Sequence, residues 1–267
     1  MDKLKIRMFI RDEWIQNTKF FQDSNEEVLR KVVDRVKTVL EAKKLPIVVF
    51  DLDSTLFDVS KRSYEILREW LAHPDTQGFT DTQDVLKGLE PTDLKYSLEE
   101  LWEEKKIPHA KAPFDHHFKH AKQFWRKRFF GHEYLKHDQP MNGAIDFVRN
   151  LHEMGAKIVY LTGRDVPMMA FGTFDQLKLH GLPIEMERTR LILKPKRHLD
   201  DIDYKSAAAK TISEWGEVVA TFENEPKNLI AMSKAFGPEV MNIFFHSVSS
   251  DHPVPGGTGL YRIREYK

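Results

Sequence analysis

Ile47-Val48-Val49-Phe50-Asp51-Leu52-Asp53-Ser54-Thr55-Leu56 is the stretch whose reading decides the fold. Four apolar residues, mostly β-branched, enter through Leu45-Pro46 and run into two carboxylates spaced i, i+2. An apolar run this short predicts a strand buried on both faces, as in a parallel sheet. Side chains alternate along a strand, so Asp51 and Asp53 leave its C-terminal end on the same side. In an open parallel sheet that end is where ligands bind. Two acids aimed at one point repel each other unless a cation sits between them or one keeps a proton. A strand that merely ends in a polar, Asx-capped turn has the same local sequence, so the rest of the chain must decide.

Working outward, four more buried-strand candidates appear at Lys157–Leu161, Arg190–Leu193, Val218–Phe222 and Val240–Phe245. Helical patterns separate them at Gly143–Met154, Met168–His180, Tyr204–Trp215 and Asn228–Phe236. Gly155 and Gly181 follow two of these helices at positions suited to a left-handed C-terminal residue. Strand alternating with helix predicts an α/β fold, a doubly wound (Rossmann-like) parallel sheet covered on both faces.

The alternation breaks once. No buried strand is visible between the first strand and Gly143, and a structureless loop of that length is foreign to a compact domain. The segment is rich in helix formers and aromatics. Ser97 and Glu100 make a capping box ahead of Leu101 and Trp102. Phe114, Phe118, Trp125 and Phe129 share one helix face, and Pro91, Pro108 and Pro113 punctuate the segment. The chain therefore divides into an N-terminal helical arm (1–45), an α/β core (46–58 and 141–267) and a mostly helical insert (59–140) above the strand ends. In the arm, Ser24 and Glu27 form another capping box, and Leu29, Val32, Val33, Val36 and Leu40 make a stripe that packs onto the sheet. Leu260–Tyr266 reads as a short edge strand behind a Ser/Pro/Gly-rich loop.

Composition excludes several functions. Lysine plus arginine equals aspartate plus glutamate at 41 each, so the chain is not a general binder of nucleic acid or acidic membranes. With no cysteine there is no disulfide, thiolate metal site or cysteine nucleophile. The start, Met1-Asp2-Lys3-Leu4-Lys5-Ile6-Arg7, runs into charges instead of an apolar stretch, and no apolar run approaches the ~20 residues that span a bilayer. A cytoplasmic protein is expected. His116 and His120 are spaced i, i+4, which can hold zinc on a helix face, but no third ligand is evident and a solvated or substrate-facing histidine face is the plainer reading. The run Arg126-Lys127-Arg128 could draw in an anion, yet such runs are usually wet helix faces.

Each later strand ends in a useful polar group. Val159-Tyr160-Leu161 leads into Thr162-Gly163-Arg164, where a hydroxyl and exposed backbone N–H groups suit an anion. Val219-Ala220-Thr221-Phe222 leads into Glu223-Asn224-Glu225, oxygen ligands of the kind Mg²⁺ takes. Asp203-Tyr204-Lys205-Ser206 opens a helix, and a lysine there opposes the helix dipole, so it is better explained as facing a negative charge.

Together these pieces resemble the haloacid dehalogenase superfamily of phosphotransferases. Asp51-Leu52-Asp53-Ser54-Thr55 matches its first motif, Asp-x-Asp-x-Thr; Leu161-Thr162-Gly163-Arg164 looks like the second; Lys205 looks like the third; and Phe222-Glu223-Asn224-Glu225-Pro226 looks like the fourth. The resemblance covers about residues 46–245. It implies that Asp51 is the nucleophile, that Asp53 protonates the leaving oxygen and later activates water, and that Thr162, Gly163 and Lys205 bind the phosphoryl group. It implies Mg²⁺ held by Asp51, the backbone of Asp53, Glu223 and Asn224. Asn224 stands where the family usually has aspartate, so Glu223 or Glu225 could carry the ion instead; Lys194 is the alternative third-motif lysine. The implied activity is Mg²⁺-dependent hydrolysis of a small phosphate monoester. A phosphomutase with the same residues and a non-catalytic phospholigand binder are the alternatives.

Overall fold

The computed structural model describes residues 11–107 and 114–267; the charged start Met1–Arg7 and the punctuating Pro108 and Pro113 lie outside them. Seven strands form one sheet in the order β1 (Lys19–Phe20), β9 (Thr258–Ile263), β8 (Met241–Phe245), β7 (Glu217–Glu223), β2 (Pro46–Phe50), β5 (Lys157–Asp165) and β6 (Thr189–Lys194). Every pair is parallel. The decisive stretch is thus a central strand, as its unbroken apolar character requires. One expectation needs correction. β9 is not the edge, because the two residues of β1 pair outside it.

The alternation of β2 divides the core cleanly. Val48 and Phe50 face one layer, with the arm helix α2 (Asn25–Glu41) and α7 (Ala144–Glu153). Ile47 and Val49 face the other, with α9 (Asp201–Ser213) and α10 (Pro226–Phe236). The arm stripe packs on the sheet: Leu29, Val32 and Val36 are buried there and Val33 and Leu40 are half-buried against the same cluster, while Val28 and Val39, outside the expected stripe, are buried as well; the Ser24–Glu27 box is formed in both directions. Residues 11–17 form α1, whose Trp14 packs on Phe244 and Leu260. Met154 and His180 close their helices, followed by Gly155 and Gly181 at φ 111° and 71°.

A separate apolar cluster fills the helical segment between β3 (Phe57–Asp58) and β4 (Gln139–Pro140), an antiparallel pair at its base. Its helices are α3 (Ser60–Ala72), α4 (Thr80–Leu86), α5 (Leu98–Glu104) and α6 (Phe114–Phe129). Trp70, Trp102, Phe118 and Phe124 are buried in it, with Trp125 and Phe129 packed against them. The histidines of α6 belong to this packing: His120 Nδ1 accepts from Trp70 Nε1 (2.9 Å), and His117 stacks on Phe79 at 4.0 Å. Ser97 caps α5, but Glu100 does not return the bond. Its carboxylate is taken by Arg11 of α1 in a two-pronged pair at 2.6 and 3.1 Å, so the arm touches both layers of its own chain. No helix among the described residues is long and apolar enough to cross a membrane.

α8 (Val166–Leu179) and α9 begin earlier than their apolar periodicity suggests. The reason is capping: Asp165 accepts from Met168 N, and Asp200 accepts from Ile202 N and Asp203 N. Lys205 accordingly stands one turn inside α9 instead of on its first turn.

Candidate active site

β2 ends between β7 and β5, and its last ladder bond, Asp51 N–H to Phe222 O at 3.0 Å, fixes where Asp51 emerges. The chain then turns sharply. Ser54 takes a left-handed φ of 61°, its N–H donates to Phe57 O, and Leu52 O receives the N–H groups of Leu56 and Phe57. Two distant residues brace this turn from outside: Ser247 Oγ donates to Ser54 O (2.5 Å) and Tyr266 OH to Thr55 O (3.2 Å).

Around Asp51 lies a cluster built wholly by the α/β layer. Lys205 Nζ donates to Asp51 Oδ1 (2.6 Å) and to Glu223 Oε2 (2.5 Å), and all three side chains are buried. Glu223 Oε1 accepts from Glu225 N–H. Asn224 Nδ2 donates to Val248 O at 2.7 Å, which fixes the amide and turns its Oδ1 toward Thr55. Thr55 Oγ1 lies 3.1 Å from both Asn224 Oδ1 and Asp51 Oδ2, with one proton to share between them. Glu225 is turned aside, accepting from Ser250 N–H and Oγ. Two carboxylates share one ammonium here. Burial, then the charge of Glu223, outweighs Lys205 and pushes Asp51 up to about 7. Burial raises Glu223 as well, against the pull of Lys205.

Asp53 sits in a different setting. Its Oδ1 accepts from Arg62 Nη2 (2.7 Å) and from Arg164 Nη2 and Nε (2.6 and 3.1 Å). Both arginines also hold Asp138, which is fully buried: Arg62 through Nε (2.7 Å) and Nη2, Arg164 through Nη2 (3.0 Å). Gln176 completes the network, donating to Asp138 and accepting from Arg164. Burial pushes Asp53 up, but Arg164 and Arg62 overcome it and hold the carboxyl well below its usual range.

The other predicted residues gather at the same place. Thr162 and Gly163 line one cleft of about 1220 Å³ together with Asp51, Asp53, Lys205, Glu223 and Asn224. The Thr162 hydroxyl accepts from Arg164 N–H (3.2 Å), which leaves its own proton to donate. A Cβ on Gly163 would stand 3.2 Å from the Asp201 carboxylate, a tight contact that a small shift of that side chain would have to relieve. Lys194 lies in the cleft too, but its ammonium is spent on Asp201 (2.6 Å) and Leu199 O. Of the two lysines, Lys205 is the one that reaches Asp51.

The sequence family described as haloacid dehalogenase-like hydrolase matches residues 45–221, about two thirds of the chain. This chain belongs to the haloacid dehalogenase-like hydrolases. Among solved structures it is similar to a Clostridium difficile protein described as a phosphatase, at 14% identity and a TM-score of 0.51, covering 83% of this chain and 94% of that one. It is also similar to a haloacid dehalogenase-like family hydrolase from Streptococcus pneumoniae, at 14% identity and a TM-score of 0.49, covering 83% and 95%. At that identity the likeness to the Clostridium difficile protein is one of fold alone. No curated protein matches the chain.

Within this haloacid dehalogenase-like hydrolase, sequence reasoning missed four contributors to the site. Arg62 sits in the first turn of α3, where an arginine normally reads as surface; Asp138 closes the 3-10 turn His132–His137 just before β4. Only an interior charge that needs a partner would mark them, and burial is not visible in one sequence. Ser247 and Tyr266, near the C-terminus, act through backbone carbonyls and leave no motif.

Proposed function

We propose that this hydrolase is a Mg²⁺-dependent phosphatase that cleaves a small phosphate monoester through an aspartyl-phosphate on Asp51. The observation that carries this reading is the contact of one buried ammonium, Lys205, with both Asp51 and Glu223 at the ends of two adjacent strands. It makes a compact charged floor in a cleft with room for an ester above it.

The donor chemistry fits the ion. Asp51, the main-chain carbonyl of Asp53, Glu223 and Asn224 Oδ1 are hard oxygens, and the surplus anion at Asp51 calls for a further cation. Among the described residues no three acidic, histidine or cysteine side chains are grouped so as to hold a metal ion, so an ion here would depend also on the Asp53 main-chain carbonyl, Asn224 Oδ1 and oxygens from water and substrate. When bound, Mg²⁺ would neutralise charge between the entering phosphate and the carboxylate.

The residues then divide the work. An oxygen of Asp51 attacks phosphorus and the ester P–O bond breaks, leaving an acyl phosphate and a leaving alcohol that takes a proton. Water attacks the acyl phosphate, releasing inorganic phosphate and restoring the carboxylate. Thr162 O–H, the Gly163 backbone and Lys205 hold phosphoryl oxygens. Asp53, a carboxylate at rest with its Oδ1 committed to the two arginines, takes a proton from solvent once substrate is bound and passes it to the leaving oxygen; as a carboxylate again it takes a proton from the attacking water and returns it to solvent, which balances the cycle. The insert 59–140 is a cap over the cleft, excluding water and shaping the substrate's far end.

The test is turnover of 4-nitrophenyl phosphate with Mg²⁺ and with chelator. Metal-dependent release of nitrophenol, lost in Asp51→Asn, is expected. Isomerisation of a sugar phosphate without net release would favour the mutase. Binding across phosphorylated metabolites with no turnover would replace catalysis with recognition.

A further inference from the structure

The cleft is larger than one phosphoryl group needs, and its basic side chains are not all engaged. At about 1220 Å³ it exceeds the ~300–1000 Å³ typical of small-molecule sites. Lys205, Arg164, Lys194 and Lys122 are each paired with a carboxylate. Arg126 and Arg197 also line the cleft, and neither has a carboxylate within 4.0 Å among the described residues. Arg126 comes from α6 of the insert, and Arg197 from the loop that follows β6. Arg197 lies over the ring of Phe130, four residues beyond Arg126, so both stand at the C-terminal end of α6, and Arg126, after burial, helps lower the Arg197 guanidinium. The carboxylate that opposes this, Asp165, is already engaged as the cap of α8.

Arg197 is also aimed. Its guanidinium lies 4.0 Å over the Phe130 ring, which packs edge-on against Phe129 at 5.1 Å. Phe129 stacks on Trp125 at 4.4 Å, and Trp125 Nε1 is pinned to Ser63 Oγ (3.0 Å). A guanidinium held flat on a ring keeps its edge donors free for a planar or tetrahedral oxyanion. By contrast Arg128, in the same basic run, is spent on Glu69 and Tyr134.

We propose that Arg126 and Arg197 form a second anion subsite, so that this enzyme selects phosphate monoesters carrying a further phosphate or carboxylate away from the ester being cleaved. The inference rests on the phosphatase reading only for the identity of the first group. Because Arg126 comes from the insert and Arg197 from the loop after β6, the second anion is held from both. Two charge-assisted contacts on a substrate group are worth about tenfold or more in affinity.

The experiment compares α,ω-alkanediol bisphosphates of four, six and eight carbons with the matching monophosphates. Affinity is read by calorimetry, with Asp51→Asn in Mg²⁺ and with the native chain in chelator, so that no turnover intervenes. At one span or more the bisphosphate should bind at least tenfold tighter than its monophosphate, beyond the factor of two that two equal ends provide. In Arg126→Gln/Arg197→Gln the ratio should fall to about two, while Lys127→Gln, an exposed neighbour outside the cleft lining, should keep it. A ratio of two at every span, or a preference that survives the double substitution, overturns the subsite. Turnover of 4-nitrophenyl phosphate with a ratio of two sinks the subsite alone. A tenfold ratio without any turnover sinks the phosphatase reading and leaves the subsite standing.

Discussion

Asp51 and Asp53 are two residues apart on one loop, and their surroundings drive them in opposite directions. Around Asp51 two buried carboxylates share one lysine, and the carboxyl is pushed up to about 7. Around Asp53 two carboxylates meet two arginines, and the carboxyl is held down. The first cluster is short of a cation and open to the cleft. The second is balanced, and through Arg62 and Asp138 it ties the base of the helical insert to the sheet. Residue type does not distinguish the two acids; the charge count around each does. The difference separates a site that calls for a ligand cation from a clamp that needs none.

The largest expected effect falls on the short-handed cluster. Asp51→Asn should reduce phosphatase turnover by about 10⁴-fold or more while leaving the melting temperature equal or higher, since it removes one of two crowded anions. A variant that keeps activity breaks the comparison at once. Lys205→Met and Arg62→Met should each destabilise the protein by about 3–5 kcal/mol in denaturant unfolding, because each strands buried carboxylates. They should differ in rescue: Mg²⁺ recovers part of the loss in Lys205→Met and none in Arg62→Met. Equal rescue would mean that the two clusters are not distinct in kind.

The pH dependence has a definite sign. Asp51 is raised above its ordinary 3.8, so in metal-free protein its contribution to stability is greatest at low pH and declines as pH rises toward about 7. Asp53 is depressed, so its contribution is present above the ordinary carboxylate range and is lost as pH falls. A proton on Asp51 competes with the ion, and the rise in melting temperature caused by Mg²⁺ should be larger at pH 8 than at pH 6. The smallest effect is expected at the exposed Lys44–Glu217 pair: Lys44→Ala should leave the melting curve unmoved.

The central layer was legible because each signal is local. Apolar runs of five residues ending in acids name their own strands, and Gly155 or Gly181 marks a helix end through a backbone angle that other residues avoid. The candidate site drew on equally local signals: Asp51, Thr162, Glu223 and Asn224 lie at or just beyond the C-terminal ends of strands and Lys205 lies near the start of a helix, and all five line one cleft. What could not be read depends on pairing across distance. The two-residue β1 outside β9, the grip of Arg11 on Glu100, and the meeting of Arg62 with Asp138 at 76 residues' separation have no local pattern. Arg126 and Lys127 look alike in sequence; only the orientation of α6 puts one of them in the cleft.

The most direct test is to trap the covalent intermediate. Protein mixed briefly with a labelled phosphate monoester and Mg²⁺, quenched in acid and digested, should carry one phosphoryl group on the peptide containing Asp51. The label should be released by hydroxylamine and absent from Asp51→Asn. Label on any other residue, or steady turnover with Asp51 replaced, contradicts the account.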